Sequence, residues 1–109
     1  MNDIEYFGFI WDKDKAESNR LKHKVSFETA VYIFQDPYLY EIYDINHSDE
    51  EERFAYIGSV MGELILFVVT TDRNGKTRII SARKATKTER NKYYENIKKL
   101  QKYESSFIE

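Results

Sequence analysis

The amino-acid sequence predicts a single α+β domain, with a mainly antiparallel sheet, two N-terminal helices and a C-terminal helix. Its 109 residues are the usual length of one domain, and its 41% hydrophobic and 16% aromatic residues are enough for a folded core. The hydrophobic pattern gives the element order β-α-α-β-β-β-β-α. A nearly continuous apolar run, Leu64 to Thr71, indicates a central strand that is covered on both faces.

The N-terminal part of the chain is predicted to form one strand followed by two helices. Aromatic and aliphatic residues from Glu5 to Trp11 indicate the strand. Asp12 is placed to cap a charged, largely exposed helix that extends to His23. Ser26 is a good cap for the second helix, and Asp36-Pro37 ends it. The apolar stripe of this second helix has helical spacing and consists of Phe27, Ala30, Val31 and Phe34.

The middle of the chain is predicted to contain four strands. The acidic segment from Asp44 to Glu52 is expected to be a solvated loop, because it offers little to bury. Short turns at Met61 to Glu63 and at Asp72 to Gly75 join the last three strands, which should therefore form an antiparallel meander. The four predicted strands are Tyr38 to Tyr43, Arg53 to Ser59, Leu64 to Thr71 and Thr77 to Arg83.

The C-terminal helix is predicted to start at a capping box, Thr86-Lys87-Thr88-Glu89. In this motif the Thr86 side chain accepts from the Glu89 backbone N–H, and the Glu89 carboxylate accepts from the backbone N–H of Thr86. The helix continues with basic residues around one apolar stripe. The stripe consists of Tyr93, Ile97, Leu100 and Tyr103.

Charge is distributed unevenly along the chain. Residues 1–75 carry 7 Lys or Arg and 15 Asp or Glu, a net charge of −8, whereas residues 76–102 carry 10 and 2, a net charge of +8. A basic segment of this kind is suited to bind phosphates or an acidic partner. On charge alone, a solvated helix face is the simpler interpretation.

Composition and motifs exclude several classes of protein. The sequence has no Cys, so it has no disulfide, thiolate nucleophile or Cys-based metal site, and we expect a cytoplasmic protein. The longest apolar run, Leu64 to Val69, is too short to cross a membrane, and the first residues lack an export signal. No Ser-His-Asp order, HExxH, P-loop or GxGxxG motif is present, which leaves phosphate chemistry by acid–base groups and cations.

The two histidines are the first candidates for proton transfer, because histidine is the side chain that ordinarily titrates near neutral pH. His23 ends a polar helix, where a basic residue is also favoured by the helix dipole alone. His47 lies in the acidic segment, where it is equally interpreted as a surface loop residue. Two histidines without a ligand-spaced motif give little support to a metal site.

The strand from Arg78 to Lys84 contains the most informative cations. Strict alternation puts Ile79, Ser81 and Arg83 on one face and Arg78, Ile80, Ala82 and Lys84 on the other. If Ile80 and Ala82 face a helix, then Arg83 lies on an open sheet face beside the basic helix. A guanidinium there is suited to bind two phosphate oxygens at once. The alternative is an edge charge that prevents strands of different molecules from pairing.

Several segments, taken in order, follow the pattern of a known family. They are Phe9-Ile10-Trp11-Asp12, Lys22-His23-Lys24-Val25-Ser26-Phe27-Glu28, His47-Ser48 with Glu51-Glu52-Arg53-Phe54, Ile57-Gly58, and Arg78-Ile79-Ile80-Ser81-Ala82-Arg83-Lys84-Ala85-Thr86 followed by Glu89-Arg90. In order and spacing they resemble the BrnT family of toxins from bacterial type II toxin–antitoxin systems. The resemblance covers about Phe9 to Tyr94, and the block that ends in Ala85-Thr86 is its most specific part.

The resemblance implies a RelE-like fold, a ribonuclease activity that arrests translation, and neutralisation by a BrnA-type antitoxin. It implies RNA as the substrate, contact with DNA only through the antitoxin complex, and no cofactor or metal. The 2′-hydroxyl of RNA would be the nucleophile, with a base, an acid and cations around the phosphate. The site residues that the resemblance implies are Lys22, His23, His47, Arg53, Arg78 and Arg83.

Within this implied site, His23 and His47 are the acid and the base, in either order. Arg83, Arg78 and Lys22 stabilise the negative charge of the reacting phosphate. Two positions depart from the family pattern. Lys24 replaces the usual Gly and is expected to alter the turn between the helices, and Asn46 replaces a basic residue, which is expected to weaken contact with RNA.

The alternative function is a non-catalytic binding module. In this interpretation the basic C-terminal helix docks RNA or an acidic protein partner, and the charge asymmetry fits it equally well.

Overall fold

The structure, a computed structural model, describes residues 2–44 and 51–105. These residues form three helices and a six-stranded mixed sheet, which confirms the predicted α+β class. The helices are α1 (Lys13–His23), α2 (Phe27–Val31) and α3 (Lys87–Ser105). The strands are β1 (Asp3–Tyr6), β2 (Phe9–Asp12), β3 (Tyr40–Asp44), β4 (Arg53–Val60), β5 (Leu64–Arg73) and β6 (Lys76–Lys84).

The sheet has the strand order β1-β2-β6-β5-β4-β3. All neighbouring strands are antiparallel except β2 and β6, which pair in parallel through Phe9 with Thr77 and Ile10 with Arg78. The predicted meander of β4, β5 and β6 is confirmed. Strand β5 lies inside it and is buried on both faces, since Ile65, Leu66 and Thr71 are each at most 7% exposed.

The N-terminal segment differs from the prediction of one strand over Glu5 to Trp11. It is a hairpin, because the chain reverses at Phe7 and Gly8, whose φ angles are +48° and +85°. Positive φ at both central residues is typical of the tight turns that match the twist of paired strands. Gly8 could have indicated the turn, but the aromatic residues on both sides of it favoured the prediction of one continuous strand.

Both N-terminal helices begin at the predicted caps. The Asp12 carboxylate accepts from the backbone N–H of Lys15 at 2.9 Å, and the Ser26 hydroxyl accepts from that of Thr29 at 3.0 Å. Helix α2 is shorter than predicted and continues as a 3₁₀ turn, Tyr32–Gln35. The helices cover one face of the sheet, over a core that includes Trp11, Phe27, Ile33, Leu66, Val68, Ile79 and Ala82.

Helix α3 packs on the opposite face of the sheet. Its predicted capping box is confirmed, since Thr86 N–H donates to Glu89 Oε1 at 2.8 Å and Glu89 N–H donates to Thr86 Oγ1 at 3.2 Å. A second core lies beneath the helix and includes Ile57, Ile65, Ala85 and Tyr93. None of the helices in the described ranges is long and apolar enough to cross a membrane.

A β-bulge in β6 overturns the predicted alternation of that strand. Val69 of β5 pairs with Ser81, but the next residue, Thr70, pairs with Ile79, so Ile80 has no partner in the register. The extra residue changes the side on which the preceding side chains lie. Ile79, rather than Ile80, therefore shares the core face with Ala82.

Candidate functional site

The bulge places the three predicted site arginines of the sheet on one face. Arg53, Thr71 and Arg78 are directly opposite one another across β4, β5 and β6, and Phe67, four residues from Thr71 along β5, is opposite Arg83. Residues paired in this way share a face, and so do residues separated by an even number along a strand. We call this surface the arginine face. It is the face that α3 partly covers.

Arg83 is held in one orientation by a carboxylate and an aromatic ring. Its Nη1 and Nη2 donate to Glu89 Oε1 and Oε2 at 2.8 and 2.9 Å, and Nη1 also donates to the backbone oxygen of Lys84 at 3.2 Å. The guanidinium lies over the ring of Phe67, 4.3 Å from the ring centre. This combination of an ion pair and a cation–π contact fixes the planar group.

One edge of the Arg83 guanidinium stays open. Glu89 binds the end formed by the two Nη atoms, while no residue in the described part of the chain accepts a hydrogen bond from Nε. The Nε–H and the second N–H of Nη2 form another fork, which matches two oxygens of a phosphate. A phosphate on this edge would not compete with Glu89 for the same hydrogen-bond pair.

Arg83 and Glu89 each stabilise the charged form of the other. Burial by itself would raise the pKa of Glu89, but hydrogen bonds from Arg83 and Thr86 outweigh it and hold that pKa below its ordinary value. The hydrogen bond to Glu89 raises the pKa of Arg83 further. Both groups are thus charged throughout the neutral range.

Arg78 and Arg53 lie at the other end of the arginine face. Arg78 donates to both carboxylate oxygens of Asp3, at 2.6 and 3.1 Å, which raises the pKa of Arg78 and lowers that of Asp3. Glu51 lies 3.8 Å from Arg53 and 3.3 Å from Arg73. Four residues of strand separate this end from Arg83, a distance of about 13 Å at ~3.3 Å per residue.

The end of α1 carries two further predicted site residues, Lys22 and His23. Lys22 is exposed and His23 is half-buried. The buried side chain of Asn19, one turn earlier, donates to the backbone oxygen of Ala82 at 2.8 Å and accepts from its N–H at 3.2 Å. Because Ala82 precedes Arg83, the end of α1 lies beside the same end of β6 as Arg83, although α1 packs on the face of the sheet opposite to the arginine face.

The last predicted site residue, His47, lies outside the described residues, as does Asn46. The turn at Lys24 keeps the conformation that the usual Gly favours. Lys24 has φ +62° and ψ +26°, and its backbone N–H donates to the oxygen of Arg20 at 2.9 Å, as expected of a left-handed helix cap. The expected change of this turn is therefore not found.

Sequence reasoning missed several residues that shape the site. Glu89 was interpreted only as a helix cap, although its six-residue separation from Arg83 places both beside the turn that joins β6 to α3. Asn19 gave no signal in a uniformly polar helix. In residues 2–44 and 51–105, no group of three His, Asp or Glu side chains is arranged to hold a metal ion.

Comparison with known proteins gives a family and a fold. A family model described as the ribonuclease toxin BrnT of type II toxin–antitoxin systems matches residues 11–89. Among solved structures, the chain is similar to the 1.1 Å crystal structure of the Brucella abortus ribonuclease toxin BrnT. The TM-score is 0.53 and the identity 22%, over 71% of this chain and 94% of that chain. No curated protein gives a significant sequence match.

Proposed function

This chain belongs to the BrnT family of ribonuclease toxins of type II toxin–antitoxin systems, and on that basis we propose that it cleaves RNA by metal-independent acid–base chemistry and so arrests translation. The guanidinium of Arg83 carries the proposal. Glu89 and Phe67 fix this group, and one of its edges stays open. A cation held in this way is preorganised for the charge that develops on a reacting phosphate.

The proposed reaction uses the 2′-hydroxyl of RNA as an internal nucleophile. A base removes the hydroxyl proton, and the oxygen forms a bond to the adjacent phosphorus. The bond from phosphorus to the 5′-oxygen of the next nucleotide breaks, and an acid protonates that oxygen. The products are a 2′,3′-cyclic phosphate and a free 5′-hydroxyl. Arg83 stabilises the negative charge on the phosphorane oxygens through its open fork.

His23 and His47 are the proposed acid and base, in either order. His23 and Lys22 end α1, which packs on the other face of the sheet but is attached by Asn19 to the backbone of Ala82, the residue before Arg83. Lys22 is proposed as a second cation at the reacting phosphate. In this scheme the two cations supply the charge stabilisation that a metal ion supplies in other nucleases.

Membership of the family also implies a protein antitoxin. We assign a BrnA-type antitoxin, which inhibits by covering the arginine face and the basic surface of α3. All six Lys and Arg residues of α3 are exposed, so an acidic partner surface is complementary to the helix. They are Lys87, Arg90, Lys92, Lys98, Lys99 and Lys102. A RelE-like fold, a cytoplasmic location and contact with DNA only through the antitoxin complex belong to the same proposal.

The test compares purified, antitoxin-free protein with its Arg83→Gln variant on a defined single-stranded RNA in EDTA. Arg20→Gln is the matched control, because Arg20 is an exposed arginine of α1 that pairs with Glu17. Circular dichroism checks that each variant is folded. We expect cleavage by the parent and the control but not by Arg83→Gln. Equal cleavage by Arg83→Gln, or no cleavage by the parent, would contradict the proposal.

Translation arrest is tested by expressing the same three proteins in cells and measuring amino-acid incorporation. The parent and Arg20→Gln should stop incorporation, whereas Arg83→Gln should not. Antitoxin binding should survive in Arg83→Gln if the protein is an enzyme. Loss of binding and phenotype together would favour the non-catalytic binding module.

A further inference from the structure

Three arginines meet at the end of the arginine face that lies away from Arg83. Arg53, Arg73 and Arg78, which we call the arginine cluster, line a cavity of about 80 Å³. Lys15 of α1 adds a fourth cation to its wall, and Asp12 and Glu51 are the two carboxylates there. Among the described residues, four cations thus face three carboxylates when Asp3, the partner of Arg78, is included.

Carboxylates hold the guanidinium groups of the arginine cluster close to one another. Glu51 lies between Arg53 and Arg73, and Asp3 of β1, two strands away from β6 in the sheet, binds Arg78. The contacts of Glu51 are long, 3.3 and 3.8 Å, so this carboxylate leaves much of the guanidinium hydrogen-bonding capacity unused.

Two donors of the arginine cluster are unsatisfied. The Nε atoms of Arg53 and Arg78 are buried and have no hydrogen-bond partner among the described residues. An unpaired buried donor costs free energy, and such groups in a folded protein ask for a functional explanation. No other described residue uses these donors, and this is why we consider a ligand at the arginine cluster.

The arginine cluster is separate from the proposed cleavage centre. It is about 13 Å from Arg83 along β5, and Lys22 and His23 lie at the Arg83 end of β6. Between the two centres the arginine face presents Ser81 and Val69, which are half-buried and short. An extended RNA strand that lies against this part of the sheet can therefore reach both centres.

We propose that the arginine cluster binds a backbone phosphate of a single-stranded RNA, at a distance of several nucleotides from the phosphate that is cleaved at Arg83. The inference rests on the proposed function and deepens it. It assigns Arg53 and Arg78 to anchoring the substrate rather than to the reaction, and it adds Arg73 to the site. The enzyme then favours substrates long enough to span both centres.

The test uses oligonucleotides with a single ribonucleotide in a deoxyribonucleotide strand, so that the cleavage position is fixed. A dinucleotide reaches only the cleavage centre, while strands extended on the 5′ or the 3′ side can also reach the arginine cluster. The variant is Arg73→Gln, with Arg20→Gln as control. Arg73 is the safest substitution for folding because its side chain is 50% exposed.

We expect the KM of the parent to be lower for one of the two extended substrates than for the dinucleotide. Arg73→Gln should raise KM for that substrate roughly 10-fold and leave the KM for the dinucleotide unchanged, since removing one contact worth about 1.4 kcal/mol changes affinity 10-fold. An equal loss on both substrates, or no loss on either, would overturn the inference while parental cleavage still supports the proposed function.

Binding provides a readout that does not depend on cleavage. Fluorescence anisotropy measures the affinity of the parent and Arg73→Gln for a 12-nucleotide deoxyribonucleotide strand over a range of salt concentrations. Arg73→Gln should bind more weakly, and the slope of log K against log salt should be lower by about 0.7, the value for one phosphate of a single strand. Identical slopes would overturn the proposed phosphate site at the arginine cluster. This outcome does not depend on whether the protein cleaves RNA.

Discussion

Glu89 binds both Nη atoms of Arg83, at 2.8 and 2.9 Å, with the carboxylate that also caps α3 through the backbone N–H of Thr86. One side chain thus connects the start of the C-terminal helix to the central cation of the proposed site. Because Glu89 is largely buried, its side chain being 17% exposed, the contact is protected from water. The orientation of Arg83 therefore depends on the capping box.

The first prediction concerns Glu89→Gln. The amide retains one oxygen for Thr86 but turns an NH₂ group towards the second nitrogen of Arg83, so the two-point contact is lost. We expect RNA cleavage to fall about 10-fold and the free energy of unfolding to fall by about 1 kcal/mol. Single-turnover cleavage and urea unfolding measure these effects.

Glu95→Gln is the matched control for that variant. Glu95 lies on the same helix and pairs with Lys98 at 3.5 Å on the exposed surface. It should change the unfolding free energy by less than about 0.5 kcal/mol. If Glu89→Gln behaved like Glu95→Gln in both assays, the positioning role of Glu89 would be wrong.

The second prediction is that the contribution of Glu89 to the free energy of unfolding depends on pH. The folded protein keeps the Glu89 pKa below the ordinary value of 4.5, so the unfolded chain takes up the proton first as the pH falls. The stabilisation is complete above pH 4.5 and is lost as the pH falls through the lower, folded pKa. The difference in unfolding free energy between the parent and Glu89→Gln should therefore shrink below that pH. Urea unfolding at a series of pH values measures it, and a constant difference would contradict the prediction.

The third prediction concerns Asn19, which attaches α1 to β6. Its amide donates to the oxygens of Ala82 and Val25 and accepts from Ala82 N–H, all within 3.2 Å. Asn19→Ala leaves these backbone groups buried and unpaired, so the unfolding free energy should fall by about 2–3 kcal/mol. The exposed neighbour Ser18 provides the control, since Ser18→Ala should stay within about 0.5 kcal/mol of the parent. Equal unfolding midpoints for both variants would refute the role of Asn19.

The fourth prediction concerns the left-handed cap of α1. Lys24 occupies a conformation with φ +62° that an L residue adopts at a cost and that Gly adopts freely. Lys24→Gly should raise the unfolding free energy by roughly 0.5–1 kcal/mol. Ser18→Gly, inside the same helix, should lower it by a similar amount. Thermal unfolding shows whether each variant is more or less stable than the parent. A loss of stability in Lys24→Gly would contradict the assigned cap.

Local patterns were enough to predict much of the fold. Three helix starts follow from the side chains of Asp12, Ser26 and Thr86, because a cap acts within one turn of the backbone that it satisfies. The central strand β5 follows from its nearly continuous apolar run, Leu64 to Val69, because burial on both faces favours apolar side chains at successive positions. The hairpin at Phe7 was missed, since its turn is specified by backbone conformation rather than by polarity.

The sequence by itself determined that this chain is an α+β protein with the BrnT motifs and which cations are candidates for a phosphate site. Only the tertiary structure decided how those cations are grouped. Strict alternation assigned Arg78 and Arg83 to opposite faces, and the bulge at Ile80 brings them to the same face. That bulge depends on the pairing of β6 with β5, and the contact of Arg83 with Glu89 depends on the packing of α3, so neither is encoded in the spacing of residues along one segment.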